Sequence, residues 1–185
     1  IGTPDSQKKI YVWAAGNAGG YADQGVDFSS PELLAGMAHF IPEIQGHSLA
    51  VASVDENGSI SSFSNKCGIA QDYCISAPGA DITVAYPTSS SDTGIYPQNQ
   101  TDEDYSNCIQ DNSCFAVANG TSFAAPFVSG GLAVIAGYFE GQLGSTEIID
   151  RLFITANKTG IYSDKSIYGQ GLMDLGAATA PVGQV

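Results

Sequence analysis

An apolar segment that ends at Tyr138 opens with Asn119-Gly-Thr-Ser-Phe-Ala-Ala-Pro126. A serine at the start of a helix can simply be an N-cap, whose hydroxyl accepts a backbone hydrogen bond. Here small residues on both sides of Ser122 leave open space around its hydroxyl. The free N–H groups and positive dipole end of a helix also lie where an oxyanion would form. The stretch therefore predicts a buried helix over 122–138, with Pro126 near its first turn and Ser122 as a candidate nucleophile.

The residue order around Ser122 separates three designs of serine hydrolase. The α/β-hydrolase design needs Gly-x-Ser-x-Gly followed by a histidine, but residue 124 is alanine and no histidine follows Ser122. The chymotrypsin design needs a Gly-Asp-Ser-Gly context, which is absent, although His39 or His47 could serve as its upstream histidine. The subtilisin design has aspartate, histidine and serine in that order, with the serine opening a buried helix. The third design fits the segment best.

The composition excludes several classes of protein. The 185 residues are 43% hydrophobic and 14% charged, which excludes a disordered chain and a coiled coil. Six lysines and arginines against nineteen acidic residues give a net charge of −13. Such a chain repels phosphate backbones, so we expect no nucleic-acid partner. No apolar run approaches the ~20 residues of a membrane helix, and the length predicts a single domain.

Short apolar runs between turn signals predict a parallel sheet with helices around it. The predicted strands are 10–15, which we expect to be buried on both faces, 49–54, a return strand at 59–64 after the turn at 55–58, and 82–86. A second helix is predicted over 145–156 by an apolar face, and a short alanine-rich helix before Pro181. The apolar face of the second helix consists of Ile148, Ile149, Leu152 and Phe153.

Four cysteines lie in two close pairs. Proximity favours disulfides Cys67–Cys74 and Cys108–Cys114, although four cysteines allow three pairings and free thiols are the alternative. Two disulfides and an acidic surface indicate a location outside the cytoplasm. The polar stretch 88–114 predicts a long loop, which we expect to border the cleft near Ser122 because it ends just before that segment.

Two acidic stretches, Asp55-Glu-Asn57 and Asp102-Glu-Asp104, are candidates for calcium binding. Neither completes an EF-hand spacing, so solvated turns are the favoured interpretation. We expect no cofactor, with structural calcium left open and unsupported by a motif.

Four blocks together resemble the subtilisin-like serine proteases, or subtilases. They occur in the order of that family at 13–20, 49–55 with 62–65, 77–79 and 119–130. The resemblance implies a subtilisin-like three-layer α/β fold, with a mainly parallel sheet flanked by helices. It also implies that residues 1–185 form the C-terminal part of a catalytic domain whose N-terminal part is absent from this chain.

The resemblance assigns roles to particular residues. Ser122 matches the nucleophile, and Asn17 matches the side-chain donor that works with the backbone N–H of Ser122 at the oxyanion. The backbone edge for the substrate, and one wall of the pocket for the residue before the scissile bond, would come from Ala14, Ala15 and Gly16. A protein or peptide substrate is therefore expected.

The family segments that carry the catalytic aspartate and histidine, including a His-Gly-Thr-His-like stretch, have no counterpart in this chain. Because the family's base precedes the Asn17 block, neither His39 nor His47 is assigned to catalysis. We expect the aspartate and histidine to lie upstream, and the chain alone to be inactive. The alternative is a catalytically inactive adhesion or scaffold module, but such a module would need neither Ser122 nor Asn17.

A finer resemblance is to subtilase passengers of bacterial autotransporters. It rests on Cys67-Gly-Ile-Ala-Gln-Asp-Tyr-Cys74 and on Gly169-Gln-Gly-Leu-Met-Asp174. This resemblance implies a bacterial protein that is secreted or held at the cell surface. An outer-membrane translocator barrel, C-terminal to this segment, would then be a partner.

Overall fold

The computed structural model of the chain describes residues 9–85 and 115–181. Its main sheet contains three parallel strands in the order β1-β2-β3. A second, two-stranded sheet pairs β4 with β5 in antiparallel orientation. The strands are β1 (Tyr11–Ala14), β2 (Ser48–Val54), β3 (Cys74–Pro78), β4 (Ile82–Ala85) and β5 (Phe115–Ala118).

Helices lie on both sides of the main sheet. In the described ranges the α-helices are α1 (Leu33–Gly36), α2 (Thr121–Tyr138), α3 (Ser145–Thr155), α4 (Lys165–Tyr168) and α5 (Leu175–Ala178). Short 3-10 turns occupy Ala18–Gln24, Met37–His39, Pro42–Ile44, Gly68–Ala70 and Gly160–Ser163.

Strand β2 is the centre of the packing, because every one of its residues is buried. Side chains alternate along a strand, so Leu49 and Val51 join the cluster that includes α2, α3 and α5. Ala50 and Ala52 join a cluster on the other face, which contains Ala35 of α1. The predicted three-layer α/β arrangement is thereby confirmed.

Strand β1 is less buried than expected, because the sequence predicts a strand with both faces buried. Tyr11 is 44% exposed, and the other three residues of β1 are only partly buried. Among the described residues β1 pairs with β2 alone, so its second edge has no strand beside it. The outer edge of β3, in contrast, is covered by bridges to Gly169 and Leu172.

The predicted return strand at 59–64 is wrong. Val54 and Ile60 form a single antiparallel bridge, after which the chain turns back. The buried hydroxyl of Ser64 then accepts the N–H of Ser53 at 2.9 Å, and the hydroxyls of Ser53 and Ser61 lie 2.8 Å apart. Serine side chains therefore take the hydrogen bonds that a longer strand would have supplied.

Helix α2 begins one residue before its predicted start and ends as predicted. Pro126 is its sixth residue and not part of the first turn, so the carbonyl of Ser122 receives no helical N–H. The helix has 18 residues with a mean hydropathy of 1.3, enough by length and composition to span a membrane. Its inner face nevertheless packs on the sheet through Val128 and Ile135. Its outer face exposes Phe127 and Val134, contrary to a helix buried all round.

Helix α3 and the short helix α5 confirm the two later helices of the sequence. Ile148, Ile149 and Leu152 of α3 are buried, and Phe153 packs against the same cluster. The Cys67–Cys74 disulfide is also present and joins the turn at Gly68–Ala70 to the first residue of β3. The second cysteine pair, the loop 88–114 and the acidic stretch 102–104 lie outside the described residues.

We predict that replacing both Cys67 and Cys74 by alanine in the full-length protein lowers the free energy of unfolding by about 2–3 kcal/mol. The cross-link restricts the unfolded chain, and this is the size expected for closing so short a loop. Denaturant unfolding would measure the loss, with reduced wild-type protein as the matched control. An unchanged free energy, or peptide maps linking Cys67 to another cysteine, would contradict this prediction.

Candidate active site

The loop after β1 and the start of α2 meet through one threonine. The N–H of Thr121 donates to Oδ1 of Asn17 at 2.9 Å, and the Thr121 hydroxyl donates to the same oxygen at 3.1 Å. That hydroxyl also accepts the N–H of Gly16 at 3.1 Å. Thr121 is fully buried, so its three hydrogen bonds hold the Gly16–Asn17 loop against the first turn of α2.

These hydrogen bonds fix which way the Asn17 amide points. A backbone N–H can only donate, so the amide atom facing Thr121 is the oxygen. The amide nitrogen must point elsewhere, and it donates no hydrogen bond to any residue in the described ranges. Asn17 is exposed, so within residues 9–85 and 115–181 nothing occupies the two N–H bonds of its amide.

The first turn of α2 leaves a second free donor. The N–H of Thr121 is taken by Asn17, and the N–H of Phe123 donates to the carbonyl of Gly120 at 2.9 Å. The N–H of Ser122 between them has no acceptor in the part of the chain that the structure describes. Two donors on adjacent elements, the Asn17 amide and the Ser122 N–H, thus both lack an acceptor among the described residues.

Ser122 is exposed and lines an open cavity of about 410 Å³ at the carboxyl end of β1. Three of the other predicted site residues, Ala14, Gly16 and Asn17, line the same cavity. Ala15 lies behind them and is fully buried, with its N–H donating to Val51 and its carbonyl accepting from Glu32. The full lining is Ala14, Gly16, Asn17, Ala18, Tyr21, Val26, Glu32, Thr121 and Ser122.

Gly79 lets the loop that precedes Ser122 lie close to the end of β2. Its carbonyl accepts the N–H of Gly120 at 2.9 Å, and its own N–H donates to Val54 at 3.2 Å. A Cβ at this position would lie 2.8 Å from the Gly120 carbonyl and 2.6 Å from the Ser53 hydroxyl. Only glycine therefore allows the end of β2 and the active-serine loop to approach so closely.

Neither histidine lines the cavity that contains Ser122. The carbonyl of His47 accepts from Tyr11 and its Nδ1 lies 3.4 Å from the Ser145 hydroxyl, while His39 contacts Phe40 edge-to-face. The described residues contain no group of three or more histidine, cysteine or acidic side chains that could hold a metal ion. Asp55 instead accepts the N–H groups of Asn57 and Ser59 in a tight turn.

Sequence reasoning missed three residues of this site. Thr121 is predicted only as part of the motif, although it carries the hydrogen bonds between the two elements. Gly79 is predicted as part of a turn, but not as a spacer beneath Gly120. Glu32, which lies beside Gly16, is not predicted as a site residue. The Gly-Thr-Ser order after β5 was the only sequence signal for the first of these.

The fold thus brings to one cavity an exposed serine and two N–H donors that have no acceptor among the described residues. The chain matches the model of the Subtilase family over residues 2–171 and belongs to that family. This match confirms the family resemblance on which the sequence interpretation rests.

Two bacterial relatives resemble the chain over most of its length. The chain is 30% identical to Serotype-specific antigen 1 of Mannheimia haemolytica over 90% of its residues. It is 27% identical to the Extracellular serine protease of Serratia marcescens, again over 90% of its residues. The chain spans only 15% of the length of each of these relatives.

Solved structures of maturation proteases share the fold. The Prenylagaramide maturation protease PagA superposes with a TM-score of 0.61 at 22% identity, covering 93% of this chain and 50% of the other. The Patellamide maturation protease PatG superposes with a TM-score of 0.61 at 20% identity, covering 91% of this chain and 42% of the other. At these identities the likeness establishes the fold alone.

We predict that Thr121→Val in the full-length protein lowers the free energy of unfolding by about 1–3 kcal/mol, because the buried N–H of Gly16 loses its acceptor. The labelling rate of Ser122 by a fluorophosphonate should fall roughly tenfold to hundredfold, since the Asn17 loop shifts. Thr121→Ser, which keeps the hydroxyl, is the control and should retain most of the stability and most of the labelling rate. A Thr121→Val variant that is as stable and labels as fast as the wild-type protein would show that the hydroxyl does not hold the Asn17 loop.

Proposed function

We propose that this chain is the serine-bearing part of a subtilisin-like serine endopeptidase that acts on proteins or peptides. The observation that carries the proposal is that one open cavity contains the exposed Ser122 and two N–H donors without an acceptor in the described part of the chain. The Ser122 oxygen attacks the scissile carbonyl, the amine leaves, and water releases the acyl group.

Asn17 and the N–H of Ser122 are proposed to bind the oxyanion of the tetrahedral intermediate. The negative charge on that oxygen develops only as the reaction proceeds, so donors already in place lower the barrier. The hydrogen bonds from Thr121 support this role, because they hold the Asn17 amide in one orientation without using its N–H groups.

The base and its orienting acid are proposed to come from sequence upstream of this chain. Neither His39 nor His47 reaches the cavity, so a serine without an added base would be a weak nucleophile. The open edge of β1 and the exposed Phe127 on α2 favour further elements of the same catalytic domain packing there. The chain would then be the C-terminal part of that domain.

We also propose that the protein is secreted or held at the cell surface. The buried Cys67–Cys74 disulfide favours an oxidising compartment, and the relatives include a protease named as extracellular. Export by a C-terminal translocator barrel is the finer proposal, and it rests on the two motifs that resemble autotransporter passengers. Calcium is not required by any part of this proposal.

The alternative is a catalytically inactive adhesion or scaffold module, and the relative named as an antigen is compatible with it. Such a module would gain nothing from holding the Asn17 amide with its N–H groups unpaired beside an exposed serine. The protease is therefore favoured, and the two functions differ in whether Ser122 is reactive.

We predict that Asn17→Ala in the full-length enzyme lowers kcat far more than it changes KM, because the amide bonds to charge present only in the transition state. The expected loss in kcat is ~10²–10³, a range taken from a subtilisin and not calculated from this geometry. Steady-state cleavage of a fluorogenic peptide measures it. A variant that keeps half of its turnover would reduce Asn17 to a turn residue.

We predict that residues 1–185 alone neither cleave peptides nor label rapidly at Ser122, whereas the full-length protein does both. Loss of the base alone costs ~10⁶ in turnover in subtilisin, from which this magnitude is borrowed. Labelling with a fluorophosphonate, with and without the upstream sequence, makes the comparison. Ser122→Ala is the control for labelling elsewhere. Full activity of the isolated chain would make His39 or His47 a working base.

A further inference from the structure

Glu32 lies against the backbone of the Ser122 cavity. Its N–H donates to the carbonyl of Ala15 at 2.8 Å, and its own carbonyl accepts from Gly36 at 2.8 Å, so its backbone is held at both ends. A Cβ on Gly16 would lie 2.7 Å from Oε1 of Glu32. The carboxylate therefore occupies space that is open only because residue 16 is glycine, and Gly16 adopts a φ of +116°.

Among the described residues that line the cavity, Glu32 has the one carboxylate, and none of them is a lysine, arginine or histidine. In residues 9–85 and 115–181 the carboxylate makes neither a hydrogen bond nor an ion pair. The ion pair that these residues do contain joins Lys165 to Asp72 and does not involve the cavity. The cavity that Ser122 lines thus contains a carboxylate with no partner among the described residues.

We propose that Glu32 selects lysine or arginine as the residue immediately before the scissile bond. This inference rests on the proposed protease function and names the substrate class of the same site. The other lining residues fit a long cationic side chain: Val26 and Ala18 offer apolar surface to its stem. Tyr21, whose ring is largely exposed, can receive the cationic head by a cation–π contact.

The same carboxylate disfavours the binding of apolar and acidic substrate side chains in the cavity. An apolar residue in the cavity would strip water from Glu32 and give it no partner, which is unfavourable for a charged group. An acidic residue would add repulsion between like charges. Glu32 therefore discriminates by attraction and by exclusion, the two components of specificity.

The test compares fluorogenic peptides that differ only at the residue before the scissile bond. This residue is lysine or norleucine, whose side chain has the same four carbons without the ammonium group. In the full-length protein we expect kcat/KM to be about tenfold higher for lysine. Glu32→Gln, which keeps the shape, should reduce that ratio to about one, because it lowers kcat/KM for the lysine peptide and raises it for the norleucine peptide. The matched control is Glu43→Gln, which makes the same charge change on an exposed residue outside the cavity lining. It should keep the tenfold ratio.

A binding assay separates failure of this inference from failure of the proposed function. Fluorescence anisotropy would measure both peptides on the Ser122→Ala protein, with and without Glu32→Gln. If Ser122 never labels with fluorophosphonate but the lysine peptide binds more tightly through Glu32, the cation site stands and the protease function falls. If Ser122 labels but lysine and norleucine behave alike, or Glu32→Gln weakens both equally, the inference is overturned. Absence of both labelling and preference overturns both.

Discussion

The buried hydroxyl of Thr121 is the constraint on which the site depends. It closes a contact between residues 104 positions apart, because it donates to Asn17 and accepts the N–H of Gly16. An unpaired polar group in this position would be costly, so the loop after β1 has one stable placement. As a consequence of that placement, the side-chain amide of Asn17 and the backbone N–H of Ser122 have no acceptor among the described residues.

The layers of the fold bring those residues together by using small side chains. Ala50 and Ala52 allow α1 and the disulfide to pack closely on one face of β2, while Leu49 and Val51 fill the other face beneath α2. Glycine at 79 lets the end of β2 touch the loop before Ser122. Because the interior is close-packed, a methyl group added at Gly79 would displace the loop that precedes Ser122.

The strongly patterned elements were predictable from sequence, and the rest depended on contacts between distant residues. β2 and α2 have continuous apolar character, so their positions followed directly. The return strand at 59–64 failed because its serines bond to the end of β2 in place of pairing as a strand. β3 and β5 are not predicted as strands, because Pro78 ends β3 inside a motif interpreted as a turn and β5 directly follows the stretch predicted as a long loop.

The candidate site also contains some residues that local sequence predicts and others that depend on distant contacts. Ser122 and Asn17 belong to local motifs, whereas Glu32 enters the cavity only because the chain folds back on Gly16. The open edge of β1 has a related consequence for how such a domain assembles. Unpaired strand groups recruit another strand, either the correct one or that of a second copy. A strand of the same domain and a strand of a second copy would therefore compete for the edge of β1 that has no neighbour among the described residues.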